Sequence, residues 1–185
     1  EIPIKESHYL NPTSPYGKSR LEQERLIKDY KERFNMDIVI SRSFPHTGPG
    51  QSKEFVCSSF AYQITMIEAG KQEPILLVGN LEAERDFMDV RDVVRAYYLL
   101  INSDTNEVYN VCSGQGVKVS NILKILLSNS KVQIEVKQDP ARIRPNDIPV
   151  LVGNNVKILE FTGWKPNISF EQTLIDILNY WRTTV

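Results

Sequence analysis

The chain has 185 residues, 41% of them hydrophobic and 24% charged, with a formal net charge of −1. These are the proportions of a soluble globular domain with a real core, and they exclude a disordered or fibrous chain. The near-neutral balance supplies no field for nucleic acid or an anionic membrane, and no apolar run approaches the ~20 residues of a membrane span.

Glu1-Ile2-Pro3 opens neither a basic nor an apolar segment, so no leader peptide is expected there. Ser14 followed by Pro15 predicts an N-cap and a first helical position, with Leu26, Ile27, Tyr30 and Phe34 recurring at helical spacing to about residue 34. "MDIVISRSF" is a β-branched run bounded by polar residues and then by "PHTGPGQ", and predicts a buried strand. "VCSSFAYQITMIEAG" predicts a helix closed by Gly70, and "PILLVGN" another strand. "DVRDVVRAYYLLI" predicts a helix whose first-turn acids suit the dipole. "EVYNVCSG" predicts a strand ending in a turn, "VSNILKILLSN" a helix and "VQIEVKQ" a strand, while "NNVKILEFTGW" and "SFEQTLIDILNYWR" are the last helices. Alternating strands and helices predict an α/β fold with parallel pairing. The aromatics Tyr97, Tyr98, Trp164 and Trp181 are expected in core and helix packing.

The two cysteines, Cys57 and Cys112, stand singly within apolar runs, and the two histidines, His8 and His46, are far apart. This pattern predicts buried free thiols in a reducing, cytoplasmic setting and no metal site. No G-x-G-x-x-G occurs: neither Gly48/Gly50 nor Gly114/Gly116 is followed by a third glycine opening a helix. A dinucleotide phosphate loop of the usual type is therefore missing from the sequence.

In "SPYGKSR", Tyr16 and Arg20 are four apart and share one helix face, whereas Lys18 projects to the other side. A fixed cation favours the charged form of a phenol, so such a pair is workable for proton transfer to a carbonyl or from an alcohol. The spacing alone leaves the alternative open that Tyr16 is an ordinary aromatic at the head of a surface helix.

The ordered series "SPYGKSRLEQERL", "RSFPHTGPGQ", "VGNLEAERDFMDVRDVVRAY", "YNVCSG", "DPARIRPNDIPVLVGN" and "TGWKP" resembles the extended short-chain dehydrogenase/reductase family acting on nucleotide sugars. Within it, the motifs lie nearest the reductases of GDP-4-keto-6-deoxy-hexoses, with the GDP-mannose dehydratases next; other nucleotide-sugar epimerases are the alternative. The resemblance implies the C-terminal portion of a Rossmann-type fold, without the N-terminal dinucleotide-binding βαβ units. Residues 1–45 would be the remnant of the Rossmann domain and 46–185 mainly the substrate-binding portion, with 86–112 returning to the Rossmann sheet. It also implies NADP or NAD as cofactor, a GDP-sugar as substrate, and a homodimer in full-length relatives.

Carried over by this resemblance, Tyr16 is the catalytic tyrosine, and Arg20 stands where the family has lysine, beside the tyrosine and the nicotinamide ribose. His46 lies in the loop beside the nicotinamide. Arg85 and Arg144 align with arginines that clamp the substrate diphosphate, a task suited to a planar bidentate fork. Asn80 and Asp147 are candidates for ribose or base contacts. Without the resemblance, Arg85 reads as a loop residue paired with Glu84 or Asp86, Arg144 as an arginine bonded to a carbonyl, and His46 as structural. Two departures bear on activity: Arg20 replaces lysine, and Pro45 replaces the asparagine of the related pattern "RPFNHTGPG". The chain is expected to be inactive by itself, either as the C-terminal part of a reductase or, in a different class, as a non-catalytic interaction module.

Overall fold

The computed structural model describes residues 1–143 and 147–185. Helix α1 (Pro15–Phe34) starts and stops on local chemistry: the Ser14 hydroxyl accepts a hydrogen bond from the Gly17 N–H at 3.0 Å, and Asn35 closes the helix in the left-handed region at φ 49°. Gly17 is required sterically, because a Cβ there would stand 2.9 Å from the Pro12 side chain folded over the first turn. Helical spacing predicts the helix but not its burial. None of its residues is fully buried, and Leu26, Tyr30 and Phe34 are exposed. Gly17, Leu21, Glu24, Ile27, Asp29 and Lys31 are half-covered.

After α1 come β1 (Ile40–Ser43), β2 (His46–Thr47), α2 (Val56–Glu68) and β3 (Ile75–Val78), then β4 (Glu84–Arg85), β5 (Met88–Asp89) and α3 (Val90–Ile101). The remainder is β6 (Val108–Val111), β7 (Val117–Lys118), α4 (Val119–Ser128), β8 (Glu135–Gln138), β9 (Val150–Leu151), α5 (Val156–Thr162) and α6 (Phe170–Thr184), with a 3-10 turn over Pro140–Arg142.

β1 pairs parallel with β6, β2 with β5, and β3 with β8. Parallel pairing alone, as the alternation predicts, is incomplete: β4 pairs antiparallel with β7 on one side and parallel with β9 on the other. Strands of two residues carry no readable period, which is why β2, β4, β5, β7 and β9 escape sequence reading. The "MDIVISRSF" run is also less buried than its composition suggests. Its strand is confined to residues 40–43, and only Ile40 is buried. β1 has one strand partner among the described residues.

Two apolar clusters hold the structure. One joins α2, α4 and α6 over β3, through Phe60, Ile64, Leu76, Ile122, Leu174 and Leu178. The other joins α3, β6 and α5, through Val93, Leu100, Val111, Ile158 and the fully buried Trp164. Burying each such side chain contributes about 1.5–3 kcal/mol. Trp164 packs as composition predicts and donates its indole N–H to the Asp92 carbonyl at 3.0 Å. Tyr98 does not: it is 67% exposed, because the core face of α3 is taken by Val93, Ala96 and Leu100. Both cysteines are buried free thiols, and burial pushes Cys57 up to about 12. No described helix is long and apolar enough to cross a membrane.

Candidate functional site

Tyr16 occupies the first turn of α1 and is exposed. The Arg20 Nε–H donates to its phenolic oxygen at 3.0 Å, and the guanidinium carbon lies 5.2 Å from the ring centroid. Arg20 also donates to Gln23 Oε1 at 2.9 Å, which steadies the fork on the same helix face. The four-residue spacing thus produces the contact that the sequence implies.

What fixes this helix turn against the rest of the molecule is not apparent in the motif. Arg42 of β1 holds both carboxylate oxygens of Glu24 on α1, at 2.8 and 2.7 Å, and donates a third bond to the Glu6 carbonyl at 2.7 Å. The Glu6 side chain in turn accepts from the Asn110 N–H of β6 at 2.8 Å. One arginine therefore ties α1, the N-terminal segment and β1 together. Its only sequence signal is a basic residue inside a predicted strand.

β1 leads through Pro45 into β2, and this step carries the chain from α1 toward the second group of candidate residues. The Met88 N–H donates to the Pro45 carbonyl at 3.1 Å, and His46 pairs in register with Met88. The His46 ring nitrogen Nδ1 is 3.0 Å from the Phe44 carbonyl.

β5 is separated from β4 by two residues, and β4 carries Arg85. Arg85 is tied to Asp147, Nη2 to Oδ1 at 2.5 Å, and Nη1 donates to the Glu84 carbonyl at 2.8 Å. Asn80 donates to the other Asp147 oxygen at 3.2 Å. Three of the four residues expected on the substrate side therefore form one hydrogen-bonded group; Arg144 lies outside the described residues. Arg85 does not form the side-chain pairing with Glu84 or Asp86 that adjacency suggests. Asp86 points into the protein and is fully buried, accepting from the Ser113 N–H (2.7 Å), the Ser113 hydroxyl (2.5 Å), the Gly114 N–H (2.9 Å) and the Gly153 N–H (3.2 Å). Burial pushes its carboxyl above the ordinary range, while the donors of Ser113, Gly153 and Gly114 pull it back. Asp86 joins β4 to the turn after β6 and to the segment after β9, so the main chain of Arg85 is held from both sides. Sequence reading missed Asp86, although a carboxylate between Arg85 and an aromatic was its one signal.

Chemically, the arrangement offers an exposed phenol with a cationic donor on its oxygen, and apart from it an arginine whose guanidinium is oriented by a carboxylate. Among the described residues, no hydrogen bond or ion pair links the two groups directly; the connection runs through Arg42, β1, β2 and β5. Among the described residues, no group of three or more His, Cys, Asp or Glu is arranged to hold a metal.

The family model described as GDP-mannose 4,6 dehydratase matches residues 1–177. GDP-6-deoxy-D-mannose reductase of Pseudomonas aeruginosa is 38% identical over 185 residues, covering all of this chain and 61% of that protein. Human GDP-mannose 4,6 dehydratase is 26% identical, covering 97% of this chain and 53% of that protein. The solved structure of RMD from Pseudomonas aeruginosa complexed with NADPH superposes with a TM-score of 0.92 at 36% identity, covering all of this chain and 61% of that one. The chain therefore spans less than two thirds of the length of these relatives. Its α/β architecture, its motif series and these matches together show that it belongs to the GDP-mannose 4,6 dehydratase family of extended short-chain dehydrogenase/reductases, and that it corresponds to the C-terminal portion of that fold.

Proposed function

We propose that this chain is the substrate-side portion of a reductase of GDP-4-keto-6-deoxy-hexoses that works with NADPH or NADH. The observation that carries the reading is the Tyr16–Arg20 contact at 3.0 Å, in a chain 38% identical to a GDP-6-deoxy-D-mannose reductase. When bound, the nicotinamide supplies the hydride that reduces the sugar's C4 carbon. Tyr16 gives its proton to the C4 oxygen as negative charge builds there. The Arg20 N–H, already on the phenolic oxygen, balances the charge left on Tyr16. Arg85, with Arg144 as its second arm, holds the diphosphate oxygens through a planar fork. Asn80 and Asp147 contact the ribose or base, and His46 sits beside the nicotinamide. Residues 1–45 form the cofactor side and 46–185 mainly the substrate side, with 86–112 returning to the first sheet. The β1–β6 pairing supports that division.

The residues present suit the reacting end of a nicotinamide cofactor, not its diphosphate, because the sequence has no G-x-G-x-x-G. The 185 residues by themselves therefore do not turn over in this reading. Calorimetric titration with GDP tests it. Weak binding that Arg85→Ala removes is the expected result; no heat in a sample shown to be folded by circular dichroism overturns it.

A further inference from the structure

The loop between β1 and α2 is braced by a side chain that the proposed chemistry leaves unused. Gln51 donates from Nε2 to the His46 carbonyl at 3.1 Å and accepts at Oε1 from the Thr47 hydroxyl at 2.6 Å. Its main chain is held as well: its N–H donates to the Gly48 carbonyl at 3.2 Å, and its own carbonyl accepts from the Ser58 hydroxyl at 2.7 Å. Ser58 is buried in α2 and itself accepts from the Trp181 indole N–H at 2.9 Å. Gln51 thus anchors residues 46–48 to the core between α2 and α6.

The consequence concerns His46. A carbonyl oxygen offers only lone pairs, so the 3.0 Å contact between His46 Nδ1 and the Phe44 carbonyl is a hydrogen bond only when Nδ1 carries the proton. A neutral imidazole has one N–H, and the bond made by one nitrogen sets the state of the other. Nε2 is then a bare acceptor, and among the described residues nothing hydrogen-bonds to it. We propose that Gln51 is a positioning residue that locks neutral His46 in the Nδ1–H tautomer, so that this loop offers its ligand a hydrogen-bond acceptor at Nε2. The lock selects a donor group, a hydroxyl or an amide N–H, on whatever the loop faces. Only the presence of a ligand at this loop rests on the function proposed above; the tautomer does not.

Nitrogen NMR of the chain labelled at histidine tests the lock near about pH 8, where an ordinary imidazole is neutral. With two histidines, a His8→Gln variant assigns the signals. The expected pattern for His46 is a protonated, pyrrole-type Nδ1 and an unprotonated, pyridine-type Nε2. The reverse pattern, or two averaged nitrogens, overturns the proposal. Gln51→Ala is expected to release the ring into tautomer averaging. Thr47→Val, which removes the hydroxyl that orients the Gln51 amide, is expected to do so in part and covers the case in which Gln51→Ala fails to fold. A folded variant of either kind that keeps the full Nδ1–H pattern overturns the role of Gln51. GDP binding is read separately, so a failed titration leaves the tautomer result standing.

Discussion

Arg42 grips both carboxylate oxygens of Glu24, and the two side chains are only 19% and 18% exposed. This ion pair, with Lys31 Nζ on the Asn106 carbonyl, ties α1, a helix in which no residue is buried, to the rest of the molecule. Shielded, bidentate pairs of this kind are costly to break from one side, because the other charge is left stranded. Glu24→Gln or Arg42→Ala should therefore destabilise the chain by about 2–3 kcal/mol. Arg42→Lys, which keeps the charge but not the fork, should fall between these variants and the parent. Hydrogen exchange supplies the local readout: the α1 amides should exchange faster in all three variants. Unchanged exchange would mean that α1 is held elsewhere.

Asp86 accepts four hydrogen bonds in a fully buried position. Asparagine has one acceptor oxygen, and its NH2 would face N–H donors. Asp86→Asn should cost about 2–3 kcal/mol, since buried donors are left unpaired. At this chain length that corresponds to a fall in Tm of about 5–10 °C. Thermal unfolding by circular dichroism checks it; a change within about 0.5 kcal/mol would show that the knot is dispensable.

Asp147 neutralises the arginine proposed to hold the diphosphate. Its carboxylate orients the guanidinium fork and, in the function proposed above, also meets the ribose or base. Asp147→Asn should therefore weaken GDP binding by about fivefold, or ~1 kcal/mol. Calorimetry in low salt is the measurement. Tighter binding would instead mean that Asp147 only competes with the ligand for Arg85.

Glu68 accepts two bonds from Arg182, at 2.8 and 2.7 Å, and these hold its carboxyl below the ordinary range. A depressed carboxyl contributes stability that is present above its unfolded value and lost as pH falls through its folded value. The α6–α2 attachment should therefore weaken on acidification below about pH 4.5, the unfolded carboxylate value. Arg182→Gln should flatten this part of the acid limb while lowering Tm at neutral pH. A limb of identical slope in the two proteins would contradict the assignment.

Leu26, Tyr30 and Phe34 form an exposed apolar stripe on α1, with Tyr30 and Phe34 rings 5.2 Å apart, and β1 has one strand partner among the described residues. Exposed apolar stripes and open strand edges promote pairing with other chains. The chain should self-associate at high concentration, and Leu26→Glu with Tyr30→Lys should shift it toward monomer in size-exclusion chromatography. A parent chain that elutes as a monomer at all concentrations would count against this.

The residues that mark element ends act locally, and for that reason they were legible in the sequence. Ser14 and Pro15 start α1 through bonds and dihedrals that involve only neighbours in the chain, and the four-residue step from Tyr16 to Arg20 is a property of any helix. The family motifs also pointed to Asn80, Arg85 and Asp147, but not to the way they meet. The Asp147 carboxylate reaches Arg85 across 62 positions, and nothing in the local pattern distinguishes that partner from adjacent Glu84 or Asp86. Arg42 with Glu24, Asp86 with Ser113 and Gly153, and Gln51 with His46 and Ser58 were decided by the fold. Each satisfies a shielded charge or amide with partners that only chain reversal brings within reach. The same holds for burial: periodicity placed an apolar stripe on α1 and a tyrosine at position 98, while the tertiary packing determined that neither is covered.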